Sequence, residues 1–461
     1  DSRSTTAYTR WHLPVNAHHL ELSNFRCFAT CSVSFHPKLT VLVADNGQGK
    51  SAIIEAAAIA LAAFIDELVE CKQADGLIAQ DLRLAREDSG RLTRHAPARI
   101  TARATVGAAA AEWTCERGES KRSARRSTGD LVRRLREPAA EGHEASSLPV
   151  VAYYSSSRFS ASSSFGILRS KDSRMAEAHE GYRGLLNPLA EPWQFNDWYY
   201  RQATAVRTHV PTGASGDDGP LPLLSAVRTA VDDVLLPTGW GTPDWDLDQR
   251  TVTVEHPTQG RFPLSALSSG VRNMLAVAAD LAHRCAQLNP ALRGEASRGT
   301  SGVVLIDEVD LHLHPSWQQM VVGSLQRAFP EVQFILSTHS PQVLSTVNAE
   351  SIRTVNLCDG RGQITTPRLQ TRGVESADVL AKVMDVHPRP QIEEARWLSD
   401  YRALVENGRY EGAEGQALWG RLAAHFGEEH PVLEEIATLR RLFEFKRDNN
   451  LLPRGGSHAS H

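Results

Sequence analysis

Apolar and polar residues alternate through Leu20-Glu21-Leu22, Cys31-Ser32-Val33-Ser34-Phe35 and Leu39-Thr40-Val41-Leu42-Val43, a period-two pattern that predicts three short strands. Gly47 and Gly49 then break the chain, and Ser51 to Leu68 carries helical apolar spacing, so a strand, a Gly-rich turn and a helix are expected in succession. A strand pair is expected over Ala98 to Cys115. The apolar run Val150-Val151-Ala152-Tyr153-Tyr154 predicts a buried strand that ends in a Ser-rich loop, Ser155 to Ser164. Residues 174 to 235 show aromatic-rich helical spacing (Trp193, Phe195, Trp198, Tyr199), interrupted by a Gly/Asp/Pro loop at 212 to 222. Val303 to Ile306 and Phe334 to Leu336 read as buried strands flanking a helix over Trp317 to Phe329. After Pro390 apolar residues recur only at three and four positions, as in Trp397, Tyr401, Leu404 and Val405, which predicts amphipathic helices alone. No internal repeat is visible. The fold class expected is α/β with an inserted middle and a helical end.

Composition narrows this picture. A net charge of −4 with 41% hydrophobic residues excludes a disordered acidic or polybasic chain. The longest apolar stretch, Ala56 to Ile65, is too short to span a membrane. Six scattered cysteines without a Cys-x-x-Cys pair, and no secretory leader, predict reduced thiols and a cytoplasmic location. Seven lysines stand against 43 arginines, so clusters of arginine carry less weight here than they would elsewhere.

Ala44-Asp45-Asn46-Gly47-Gln48-Gly49-Lys50-Ser51 fits a P-loop with alanine in place of the first glycine, and it lies between a strand and a helix as that motif requires. Glycines let successive N–H groups face a phosphate, and the helix N-terminus adds positive potential. Asn46, Gly47, Gln48, Gly49, Lys50, Ser51 and Ala52 are the expected phosphate contacts, with Lys50 neutralising β- and γ-oxygens and Ser51 holding Mg²⁺. Gly302-Val303-Val304-Leu305-Ile306-Asp307-Glu308 delivers two carboxylates at the end of a buried strand. Two acids there are costly unless they meet a metal or water, so Asp307 is assigned to Mg²⁺ and Glu308 to the base that polarises the attacking water. Leu267-Ser268-Ser269-Gly270 precedes a helix, 37 positions before Asp307, and His339 ends a strand 31 positions after Glu308. Taken singly, the first is a helix cap and the second a strand-end histidine.

Taken in order, P-loop, Leu-Ser-x-Gly, Asp-Glu and His resemble the layout of ABC-type ATPases. The resemblance implies an ABC-type P-loop ATPase head, a mixed sheet plus helices, with ATP and Mg²⁺ as cofactors. It implies a homodimer or higher homo-oligomer in which Ser268, Ser269 and Gly270 contact the nucleotide held by a partner's Lys50. His339 would be the switch histidine that senses the γ-phosphate, and Val309-Asp310-Leu311 the D-loop. Arg158, after the Tyr153-Tyr154 strand, is a candidate nucleotide contact.

About 220 residues separate the P-loop from the signature, far more than a transporter head needs, and no heptads lie between the halves. Leu20-Glu21-Leu22-Ser23-Asn24-Phe25-Arg26, the block Asp307-Glu308-Val309-Asp310-Leu311-His312-Leu313-His314-Pro315-Ser316-Trp317-Gln318, and Thr338-His339-Ser340-Pro341-Gln342 are similar to the compact RecF- and OLD-like group that includes the Septu-type phage-defence ATPases. The likeness runs over most of residues 18 to 445. It implies five regions: 1–165, a first ATPase lobe with the P-loop; 166–260, an inserted helical and strand subdomain; 261–375, a second lobe with signature, Asp-Glu and histidine; 376–450, a helical region; and 451–461, a tail. Because Septu-type systems pair the ATPase with an HNH nuclease, the resemblance implies such a partner in trans; no Asp-x-Asp pair of a Toprim nuclease follows His339, so the chain is not expected to be a nuclease itself. The alternative within the group is a RecF-like DNA-repair or recombination ATPase without a toxic partner. The basic stretch Arg117 to Arg136 is either a phosphate-tracking patch for DNA or a solvated segment. The His312-x-His314 pair reads as a turn element rather than a zinc site.

Overall fold

The structure, a computed structural model, describes residues 14–68, 76–86, 90–119, 125–127, 147–156, 181–182, 185, 192–208, 221–387, 389–427 and 429–449. In chain order, β1 (Val15–Phe25), β2 (Phe28–Ser34) and β3 (Leu39–Val43) lead into α1 (Lys50–Leu68). A two-stranded ribbon, β4 (Arg83–Arg86) with β5 (Leu92–His95), precedes β6 (Ala98–Val106), β7 (Ala109–Arg117), β8 (Arg125–Ser127) and β9 (Val150–Tyr154). Next come α2 (Pro192–Thr208), α3 (Leu221–Leu235) and a small antiparallel sheet of β10 (Gly241–Asp246), β11 (Thr251–His256) and β12 (Gly260–Pro263). Then follow α4 (Ser269–Leu288), α5 (Ala296–Gly299), β13 (Gly302–Ile306), α6 (Pro315–Gln318), α7 (Val321–Ala328), β14 (Val332–Thr338), α8 (Pro341–Leu344), β15 (Ile352–Cys358), β16 (Arg361–Thr365) and α9 (Ser376–Lys382).

The main sheet runs β8-β7-β6-β1-β2-β16-β15-β3-β14-β13-β9, and its two halves follow from two hydrophobic patterns. β3, β9, β13 and β14 are buried at every position and run parallel, because continuous apolar strands need cover on both faces. β6 alternates strictly between buried and accessible positions and pairs antiparallel with β1 and β7, as one-faced strands do. The Ala-rich helix α1 lies within the core, and its small side chains let Trp113 Nε1 donate to the Ala60 carbonyl at 2.8 Å. One polar residue in the buried strands is fully used: the Gln333 amide exchanges two 2.8 Å bonds with the backbone of Ala17, beside the irregularity in β1. The expected α/β fold, a mixed sheet plus helices, is therefore what the chain adopts.

The helix expected over Trp317 to Phe329 is instead two. Met320 N–H bonds back three residues to Trp317, Met320 sits at φ −113°, and a new helix starts when Ser324 N–H reaches the Met320 carbonyl. Among the described residues no helix is long and apolar enough to cross a membrane.

The chain divides into two compact units at Met384 and Asp385. The second holds α10 (Glu393–Glu406), α11 (Ala413–Phe426) and α12 (Pro431–Asp448) around Tyr401, Leu404, Val405, Leu422, Leu433 and Ile436.

On α4, His283 packs its ring 4.5 Å from that of Trp198. Burial, and then the nearby Arg284 and Arg201, push its pKa down to about 4 against the pull of Asp280. The unfolded chain thus takes a proton near pH 6.5 that the folded one refuses until about pH 4. Stability should fall as pH drops through that interval, by at most about 3 kcal/mol from this group. Urea midpoints at pH 7.5 and pH 5 should converge in His283→Gln relative to the parent; an unaltered pH dependence would disprove the assignment.

Candidate nucleotide site

Because β3, β14, β13 and β9 are parallel neighbours, their C-terminal ends share one edge of the sheet. Onto that edge the chain delivers the Gly-rich turn after β3, His339 after β14 and Asp307-Glu308 after β13, the place where open α/β sheets hold ligands.

Gly47 and Gly49 adopt φ of +78° and +95°, a region that side chains disfavour. Gly47 faces open space, as a cradle for a ligand oxygen requires, whereas Gly49 is pressed against Phe28, and a Cβ there would also stand 2.9 Å from Cys27 Sγ. The turn between β1 and β2 thus floors the loop. Gln48 Oε1 accepts from the Leu357 N–H at 2.7 Å, anchoring the loop to β15. Lys50 opens α1 and is 6% exposed; its Nζ donates to the carbonyls of Ala44 (2.7 Å) and Asp45 (3.0 Å). Burial lowers its pKa, while Asp307, Asp45, Glu308 and Asp310 favour its charge. Those four acids place the lysine and the carboxylate pair in one electrostatic neighbourhood.

Asp307 is 2% exposed, and its Oδ1 accepts from Ser337 Oγ at 2.5 Å. The same Ser337 Oγ accepts from the Glu308 N–H at 2.8 Å, and the Ser337 carbonyl accepts from the Val309 N–H at 3.0 Å. Glu308 sits at φ +51°, a left-handed conformation costing about 1 kcal/mol or more that these bonds hold in place. Thr338 Oγ1 donates to Asp310 Oδ1 at 2.5 Å. His339, half-buried, is bracketed by Thr338 and by Ser340, whose Oγ caps α8 and donates to Gln318 Oε1 at 2.7 Å. Motif reading gives Ser337 and Thr338 no role of their own, yet they hold the Asp307 and Asp310 carboxylates in place.

Ser268 and Ser269 are exposed at the start of α4, and Ser268 Oγ accepts from the Val271 N–H at 3.5 Å. Gly270 is buried under the turn after Glu308: an added Cβ would lie 2.8 Å from the His312 carbonyl. Among the described residues no hydrogen bond ties Ser268 or Ser269 to the Lys50 loop. His314 accepts from the Ser316 N–H and caps α6, while His312 lies at φ +61° within the same turn. Arg26, in the Asn24-Phe25-Arg26 stretch, pairs with Glu55 of α1 and with Asp81 at 3.0 Å, joining the β1–β2 turn to the helix behind the P-loop. Arg158 lies outside the described residues. So does most of the basic stretch 117–136; Arg117 itself is 8% exposed and donates to the Leu77 carbonyl at 3.2 Å, so its guanidinium is turned inward.

The donor set suits a nucleoside triphosphate with its cation: an open Gly47 cradle, a desolvated ammonium, an exposed Ser51 hydroxyl at a helix N-terminus and a buried carboxylate one strand removed. These features define a P-loop α/β domain. The chain belongs to the family described as "AAA domain, putative AbiEii toxin, Type IV TA system", whose profile matches residues 112–345; a second AAA-domain profile matches residues 19–164. It is similar to "Retron Vc95 probable ATPase" of Vibrio cholerae serotype O1 biovar El Tor, with 42% identity over 146 residues, 31% of this chain and 28% of that protein. It is also similar to "Septu protein PtuA" of Bacillus mycoides strain KBAB4, with 41% identity over 78 residues, 17% of this chain and 10% of that one. The matched stretches thus span less than a third of these curated relatives. Among solved structures, the SMC head domain of Thermotoga maritima aligns over 77% of this chain and all of its own, at 15% identity and a TM-score of 0.40.

Proposed function

We propose that this chain is an ABC-type ATPase that converts ATP and water to ADP and phosphate, pairs with a second copy of itself around the nucleotide, and in that state controls an HNH-type nuclease partner in anti-phage defence. The observation that carries this reading is the gathering of Lys50, Asp307, Glu308 and His339 at the C-terminal ends of β3, β13 and β14. Membership of an AAA-domain family and the ATPase names of its relatives support it.

In this reading the backbone of Asn46 to Ala52 cradles the phosphates and Lys50 neutralises them. Ser51 and Asp307 would hold Mg²⁺, which supplies charge to the phosphate oxygens. Glu308 takes the proton of the attacking water, and His339 contacts the γ-phosphate. Ser268, Ser269 and Gly270 act on the nucleotide of the partner copy, for which the exposure of both serines leaves room. The Septu-type relative favours a nuclease partner over a stand-alone DNA-repair role.

Mixing tests the shared site. Lys50→Ala and Ser268→Arg should each be inactive alone, yet a one-to-one mixture should regain roughly a quarter of parental turnover, because half the pairs carry one intact composite site. A mixture as inactive as its components would reject the sandwich. Co-purification with the neighbouring gene product, sized with and without ATP, tests the partner.

A further inference from the structure

Helix α4, which begins with the exposed Ser268 and Ser269, is fastened to the Asp307–Leu313 turn directly in one place and through β9 in another. Near its start, Asn273 Nδ2 donates to the Leu311 carbonyl at 3.4 Å, beside the close approach of Gly270 to His312. Seven residues on, about 10 Å along the helix, Asp280 Oδ2 accepts from the Tyr154 hydroxyl at 2.7 Å and from Arg284 Nε at 2.7 Å. Tyr154 is the last residue of β9, and its carbonyl accepts the Asp307 N–H at 2.8 Å. The path closes on itself. It runs from Asp307 to Tyr154, through the phenol to Asp280, along α4 to Asn273, across to Leu311, and back through the Leu311 N–H bond to the Glu308 carbonyl at 3.0 Å.

Every member is held. Tyr154 is 2% exposed, and Arg284 Nη1 also donates to the Gly181 carbonyl at 3.0 Å. The next residue, Tyr182, donates its hydroxyl to the Pro149 carbonyl at 2.8 Å, just before β9 begins. Burial opposes the charge of Asp280, yet its ion pair with Arg284 and the bonds it accepts outweigh that and hold its pKa below the usual carboxylate range. Burial, and then the adjacent Asp280, push Tyr154 well above the ordinary phenol range, so it stays a donor. A half-buried carboxylate that pairs with the buried Arg284 and accepts a buried phenol is costly to strip of either donor.

We infer that Tyr154, Asp280 and Arg284 are positioning residues that lock the signature helix to the Asp307–Glu308 turn, so that the two move as one piece when copies of the chain pair. The inference rests on the ATPase reading above for its consequence, not for its geometry.

The full chain tests it through Tyr154→Phe, which removes one hydroxyl, with Asp280→Asn as a second variant that removes the charge paired with Arg284. In the nucleotide-free protein, Tyr154→Phe should speed hydrogen exchange of the amides at 308–313 by about tenfold, although the phenol's own bond is to Asp280 on α4. ATP affinity should stay within about twofold of the parent while kcat falls about tenfold, because binding uses the chain's own P-loop and turnover needs the aligned signature. Asp280→Asn, which can still accept the phenol but removes the charge paired with the nearly buried Arg284, should quicken exchange of the same amides as well. Exchange that quickens only near 150–156 and 278–285 would overturn the coupling, as would kcat and ATP affinity falling together. If the parent itself never turns over ATP, the ATPase reading fails while the exchange result still decides the mechanical one.

Discussion

Glu308→Gln is expected to lower ATP turnover by about 100-fold or more while ATP still binds. The substitution keeps the shape of the side chain and removes only its ability to take a proton. The backbone that presents it does not depend on the carboxylate: Ser337 Oγ holds the Glu308 N–H, and the Ser337 carbonyl holds that of Val309. The left-handed φ of Glu308 therefore persists in the variant. Nucleotide that binds without being consumed should accumulate as paired chains, read as an ATP-dependent doubling of mass by light scattering. Turnover within about threefold of the parent would remove Glu308 from the role of base.

Lys50→Ala is expected to weaken ATP binding by about 100-fold, an effect of the size of a lost charge-assisted bond in a desolvated site. Lys50 is nearly buried, with burial already working against its charge, and four acids stand in its field. Removing the ammonium leaves those acids facing incoming phosphates uncompensated, so repulsion adds to the lost attraction. The variant also deprives the Ala44 and Asp45 carbonyls of their donor. A fluorescent ATP analogue gives the affinity directly, and loss of ATP-induced thermal stabilisation gives it independently. Affinity within about threefold of the parent would show that the loop is not a phosphate cradle.

Some features of this site were legible because they are local. Gly47 and Gly49 advertise a backbone that only glycine adopts at no steric cost, and the apolar run into Asp307-Glu308 advertises a buried strand with a charged tip. The reading of Trp317 to Phe329 as one helix failed because apolar spacing is nearly unchanged across Gln319 and Met320, while the break is made by backbone bonds that spacing does not encode. The strands β10 to β12, which run from the region read as an inserted helical and strand subdomain into the second lobe, were invisible one by one; they gain stability by pairing with each other rather than from strong individual patterns. Ser337 passed unnoticed for a related reason. A serine at the end of a strand has no signature until the neighbouring strand is known.

By itself, the amino-acid order determined the Gly-rich turn, the buried parallel strands, the paired carboxylates and the helical end, all of which follow from residue preferences within a few positions of one another. Only the tertiary structure decided that β14 lies between β3 and β13, which sets Ser337 on Asp307, and that β9 meets α4 through Tyr154 and Asp280. Strand order and inter-element register are settled by burial shared among segments more than a hundred residues apart, and no local preference carries that information.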